Sequence, residues 1–135
     1  LRAEDFHFAT DGAGNWLFLD SDYISRSSDD GQTWETIRIP GYEDQIIQSR
    51  AIHIAGTEWL AILDDASSFH FLLTRSTDGG ETWSTPAPVF DRSRVNLKTS
   101  AFTKRADGKI EVVLQSNVQI SADNGTTWTS VPYQN

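Results

Sequence analysis

Apolar residues recur along this chain in short runs, and none of the runs carries the 3.6-residue period of an amphipathic helix. The first stretch holds Phe6-His7-Phe8, then Trp16-Leu17-Phe18-Leu19, Tyr23-Ile24-Ser25-Arg26 and Ile37-Arg38-Ile39. A second stretch runs through Ile52-His53-Ile54, Trp59-Leu60-Ala61-Ile62-Leu63 and Phe71-Leu72-Leu73-Thr74-Arg75. The third has Ala101-Phe102-Thr103, Ile110-Glu111-Val112-Val113-Leu114, Val118-Gln119-Ile120 and Val131-Pro132-Tyr133. Gly, Asp and Asn cluster between the runs, as turns between strands require. The pattern predicts an all-β chain of three four-stranded antiparallel meanders, over about residues 4–40, 48–90 and 99–134.

A repeat underlies the pattern. Ser-x-Asp-x-Gly-x-Thr-Trp occurs three times without a mismatch, as SSDDGQTW from Ser27, STDGGETW from Ser76 and SADNGTTW from Ser121. Self-similarity at a near-constant period of this length marks a blade or solenoid architecture. The motif suits a tight hairpin turn. Its carboxylates, Asp29, Asp78 and Asp123, can accept backbone N–H bonds, and Gly31, Gly80 and Gly125 can take positive φ. Ser27, Ser76 and Ser121, with Thr33, Thr82 and Thr127, can add side-chain-to-backbone bonds. Trp34, Trp83 and Trp128 then leave the turn as wedges, each able to bury roughly 150–250 Å². On this reading the three aspartates hold turns and are not catalytic.

These residues make the chain resemble the Asp-box, or BNR-repeat, proteins over nearly its whole length. The resemblance implies sialidase-like β-propeller blades, with each box in the turn between the two outer strands. Similar boxes occur in exo-α-sialidases, glucan-cleaving hydrolases, sortilin-type receptors and photosystem assembly factors, so the motif does not fix an activity. It also implies six or more blades, and three alone would leave apolar faces in water. Association into a ring is therefore expected, by a homodimer giving six blades or with the missing remainder of a longer propeller. The lack of methionine and the initial Leu1 suggest a processed or excised chain. A secreted or periplasmic location is favoured by the resemblance alone.

By the same resemblance, ligands meet the loops joining second to third strands and those joining one blade to the next. Here these are Asp20–Asp22, Asp64–His70 and Ser116–Asn117 within blades, and Gly41–Ser49 and Asp91–Lys98 between them. The candidate ligand-binding residues are Tyr42, Asp64, Asp65, His70, Arg92 and Arg94, with Glu43, Asp44 and Asp91 nearby. Paired carboxylates, an aromatic ring and guanidinium groups could serve a sugar or protein ligand. A sialidase would add an arginine clamp on the substrate carboxylate, a tyrosine–glutamate nucleophile and an aspartate acid/base. Arg38-Ile39-Pro40 imitates the family's arginine motif, but follows the first box and has Ile37 in place of an aromatic. Arg50 is the better-placed alternative, and Asp64 or Asp65 would be the acid.

Composition narrows the remaining classes. The 135 residues are 38 % hydrophobic and carry a net charge of −8, which speaks against nucleic acid and anionic membranes as partners. No run is long and apolar enough for a membrane helix, so membrane insertion is not expected. Without cysteine there is no disulfide or thiolate metal site, and no cofactor or metal is expected. His7 and His53 read as matching positions of two repeats. Trp16 and Trp59 read as equivalent core positions. Asn124-Gly125-Thr126 fits a glycosylation sequon but falls inside a turn. The leading expectation is a noncatalytic propeller segment that binds a glycan or protein on its loop face. A fragment of a sialidase-type glycoside hydrolase and a structural assembly factor are the alternatives.

Overall fold

The computed structural model describes residues 6–39, 41–42, 45–65, 70–91, 101–114 and 117–132. Within them the chain is all-β and forms three four-stranded antiparallel sheets, as the run pattern predicts. The first sheet holds β1 (Phe6–Thr10), β2 (Trp16–Asp20), β3 (Tyr23–Ser27) and β4 (Glu35–Arg38). The second holds β5 (Ile46–Ala55), β6 (Glu58–Asp65), β7 (His70–Ser76) and β8 (Ala87–Asp91). The third holds β9 (Ala101–Lys104), β10 (Ile110–Val113), β11 (Asn117–Ser121) and β12 (Thr129–Pro132). In each sheet the strands lie side by side in chain order. Each sheet is thus a plain meander, one propeller-like blade.

The blades stack through their first strands, β1 against β5 and β5 against β9. That stacking explains a difference visible in the sequence. β2 alternates half-buried and buried residues, whereas every residue of β6 from Trp59 to Asp65 is buried. A sheet covered on both faces needs no polar alternation. Trp59, Ala61 and Leu63 join Leu17, Leu19 and Ile24 in a core between blades one and two. Leu60, Ile62 and Phe71 join Phe102, Ile110 and Val112 in a core between blades two and three. The middle blade is the filling of both layers.

Register corrects one expected equivalence. His7 pairs in register with Leu19, while His53 pairs with Trp59, whose counterpart Trp16 pairs with Thr10. The position matching His53 is therefore Thr10, and the one matching His7 is Arg50, the partner of Ile62. β1 and β2 are joined through Asp11–Asn15, where the Asp11 carboxylate accepts N–H bonds from Ala13 at 2.8 Å and Asn15 at 3.2 Å. β5 and β6 are joined by Gly56-Thr57 alone. Five residues separate Thr10 from Trp16 and five separate His53 from Trp59, so the two first strands keep one register, and His7 and His53 stand three positions apart within it.

Candidate functional site: the box turns, the blade junctions and the loop end

The three boxes lie between the third and fourth strands of their blades and share one geometry. In the first, Asp29 accepts the Thr33 N–H at 2.8 Å, the Thr33 hydroxyl and the Ser27 hydroxyl at 2.8 Å. The Ser27 Oγ in turn accepts the Gly31 N–H at 2.9 Å. Gly31 sits at φ 88°, Gly80 at 93° and Gly125 at 89°, a region that L side chains avoid. Each Trp folds back so that its indole N–H donates to the glycine carbonyl, at 3.0 Å for Trp34 and Trp83 and 3.2 Å for Trp128. Asp78 and Asp123 repeat the bonds of Asp29, with Ser76 and Thr82 or Ser121 and Thr127 as donors.

The threonine hydroxyl, its backbone N–H and the serine hydroxyl hold all three carboxyls at a pKa of about 2. Such a group is ionised at neutral pH and has no proton to give. The family model of the BNR/Asp-box repeat matches residues 74–85, the second box with the end of β7 before it. The chain carries the BNR/Asp-box repeat. No curated protein matches the sequence.

The Asp boxes also make the blade junctions. A Cβ built on Gly80 would lie 3.0 Å from Leu17 Cδ2, and one on Gly125 would lie 2.7 Å from Leu60 Cδ2. Gly80 and Gly125 thus each seat on a leucine from the second strand of the blade before. Beside that leucine, in register, stands an arginine: Arg26 opposite Leu17 and Arg75 opposite Leu60. Arg26 reaches Glu81 of the second box at 3.2 Å, and Arg75 donates to the Asn124 carbonyl of the third. Trp128 meets Phe90 of the second blade edge-on, ring centres 5.0 Å apart. The Lys104 ammonium donates to the Ile54 carbonyl across the same junction. Sequence reading found the boxes but missed this leucine–arginine pair, although its arginine directly precedes Ser27 and Ser76. The sequon residue Asn124 is occupied here, as a turn residue at φ 58°.

At the loop end the candidates are placed as follows. Asp64 and Asp65 end β6 and are buried, at 0 % and 4 % exposure. Arg50 is half-buried on β5, which begins four residues upstream at Ile46, so it lies mid-strand and not at a strand start. In register it faces Ile62, and Gln48 faces Asp64, so Arg50 and Asp64 are diagonal neighbours on one sheet face. Burial lowers the pKa of His7, and the neighbouring Arg50 charge lowers it further. The Ser49 hydroxyl donates to the Ser21 carbonyl at 2.7 Å and ties this end to the first blade. His70 is exposed at the start of β7, opposite Asp91, and Tyr42 packs half-buried against the first core. Arg50, Asp64, Asp65, Gln48 and His70 all have interaction partners.

Arg38 is elsewhere. It lies on the outermost strand of the first blade, its Nε donates to the buried Asp22, and its guanidinium stacks over Tyr23 at 4.8 Å. The fold brings Arg50, His7, Asp64 and Asp65 to one region and leaves Arg38 as a brace of the Ser21-Asp22 turn. Arg92, Arg94, Glu43, Asp44, Pro40 and Ser116 lie outside the described residues. Among the described residues no three His, Asp or Glu side chains are arranged to hold a metal. The cavity between blades two and three, about 270 Å³, is lined by box and outer-strand residues such as Arg75, Thr85, Pro88 and Trp128, not by the loop-end candidates.

Proposed function

We propose that the chain is a noncatalytic segment of an Asp-box propeller, which completes a ring by associating with further blades and binds a glycan or protein on its loop face. The observation that carries this reading is where exposed apolar surface falls. Phe8, Tyr23 and Trp34, at 52 %, 43 % and 40 % exposure, belong to the first blade, and Val131, at 40 %, to the last strand of the third. Among the described residues the exposed large apolar residues thus fall on the two outer blades and none on the middle one. Their register places Phe8 with Phe18 and Ser25, and Tyr23 with Arg38, on the side turned away from the second blade. A stable blade buries such a surface. The noncatalytic half rests on the boxes, whose carboxyls are committed to turns, and on Arg38, which is committed to Asp22.

The hydrolase alternative draws support from one feature, the Arg50–Asp64–Asp65 region with His7 beside it. A fluorogenic sialoside and a glycan array, applied to the purified chain, test both readings. Glycan binding without turnover is the expected result. Turnover lost in Arg50→Ala with the fold intact would replace the noncatalytic reading with the hydrolase one. Neither binding nor turnover would leave the assembly-factor role and remove the ligand.

A further inference from the structure

Two blade junctions within one chain give a template for a third. At both, the blade before supplies a leucine from its second strand and an arginine opposite it on its third. The blade after supplies a box glycine, a turn that receives the arginine and a tryptophan wedge. The first blade has the receiving half of this junction, and among the described residues nothing is seated on it. Gly31 is exposed where Gly80 and Gly125 are buried, and a Cβ there would meet only Trp34 Cζ2 at 3.7 Å. The same glycine-to-indole spacing recurs in the second box, 3.8 Å from Gly80 to Trp83 Cζ2, so the first box is already shaped for its leucine. Beside it an apolar groove of about 320 Å³ is lined by Phe8, Phe18, Ser25 and Trp34. Asp30, the counterpart of the Asn124 whose carbonyl receives Arg75, is exposed and adds a negative charge to this box, its carboxylate accepting the Trp16 indole N–H at 2.9 Å.

A second copy of this chain would have to offer its third blade, whose free face differs at both key positions. Where the other blades have leucine it has Glu111, and where they have arginine it has Ile120, paired in register as Leu17 is with Arg26. Glu111 is half-buried and pairs with Arg105 at 3.7 Å. Docked on the first box it would set the Glu111 carboxylate beside Gly31 and near Asp30, without the third-strand guanidinium that Arg26 and Arg75 bring to the other two junctions. Like charges brought together while losing water oppose association.

We infer that the open face of the first blade takes a four-stranded blade carrying leucine on its second strand and arginine opposite it on its third, and not the third blade of a second copy. This rests on the ring-completing function proposed above and names its partner. The leucine enters the groove against Gly31 and Trp34, and the arginine meets Asp30 and the carbonyls of the first box. The third blade has exchanged the pair and marks a different boundary.

The full chain tests this when its own third blade is given the missing pair. Solution mass by light scattering is read together with oxidation of individual tryptophans by N-bromosuccinimide, mapped by peptide mass. The wild-type chain is expected to be monomeric, with Trp34 the fastest to react. Glu111→Leu combined with Ile120→Arg is expected to drive head-to-tail association, to slow Trp34 to the rate of Trp83 and Trp128, and to lose both effects when Phe8→Asp is added. Ile120→Arg alone keeps Glu111 and its ion pair, and is expected to give part of the protection should the double variant fold poorly. A wild-type dimer that protects Trp34 would leave ring completion standing and overturn the choice of partner. Double and single variants that fold yet leave Trp34 as reactive as in wild type would overturn it too. A wild-type monomer whose Trp34 reacts as slowly as Trp59 would overturn the ring reading itself.

Discussion

Trp16 and Trp59 hold the same register position in consecutive blades, yet Trp59 is 1 % exposed and Trp16 is only half-buried. Phe8 and Phe102 are likewise equivalent, each opposite the third residue of its second strand, and are 52 % and 6 % exposed. The box geometry is the same in all three blades, so local sequence does not make the difference. Covering does. A blade in this fold is finished by the blade before it, and the first lacks one among the described residues. The contrast separates what an Asp box does for its own turn, which is identical three times, from what it does for a junction, which is realised twice.

The largest expected break in that contrast comes from the box glycines. Alanine at Gly125 meets both a left-handed φ, costing about 1–2 kcal/mol, and overpacking against the buried Leu60, costing about 1–3 kcal/mol. Alanine at Gly31 meets the φ cost alone. Urea unfolding is expected to show Gly125→Ala losing about 3 kcal/mol and Gly31→Ala about 1–2 kcal/mol, with Gly80→Ala between them. Equal losses at Gly31 and Gly125 would mean that the first box is covered after all.

Tryptophan truncation comes next. Trp128→Ala removes the contact with Phe90 and opens the second core, an expected loss of about 2–4 kcal/mol by thermal or urea unfolding. Trp34→Ala is expected to cost about 1 kcal/mol, because that residue is 40 % exposed. A reversed order would contradict the junction model of blade stability.

Acid titration should treat the boxes alike where the junction variants treat them differently. The box carboxyls titrate at about 2 in the fold against 3.8 in an unperturbed Asp. Their stabilisation is therefore complete above about pH 4 and is lost as pH falls through 2, since the unfolded chain takes up protons first. The melting temperature is expected to fall more steeply between pH 4 and 2 in wild type than in Asp29→Asn, Asp78→Asn or Asp123→Asn. The smallest effect belongs to His7, whose lowered pKa favours the neutral ring in the fold. Stability should decline slightly as pH drops below 6.5, and His7→Gln should flatten that decline. A decline that steepens in His7→Gln would show the ring to be stabilised as a cation.

The boxes could be read from sequence because they are local. Ser27, Asp29, Gly31 and Thr33 bond to one another within seven residues, and their spacing encodes the turn. The strands were legible for a similar reason, since each meander pairs neighbours in chain order. The junctions were not, because Leu60 and Gly125 come together only through the stacking of two sheets. The exchange of Leu–Arg for Glu111–Ile120 becomes visible only once register is known. Register also separates His7 from His53, which look equivalent until each is counted against its partner on the second strand. At the loop end, the proximity of Arg50 to Asp64 needed the β5–β6 pairing, and the bond from Arg38 to Asp22, sixteen positions earlier, does not show in local spacing.

The most direct measurement is the relative oxidation rate of the tryptophans in the wild-type chain, resolved residue by residue. Three Asp-box blades with an open first face predict Trp34 fastest, Trp83 and Trp128 slower, and Trp59 slowest. Indistinguishable rates at Trp34, Trp83 and Trp128 would contradict it, because the first box would then be as fully seated as the other two.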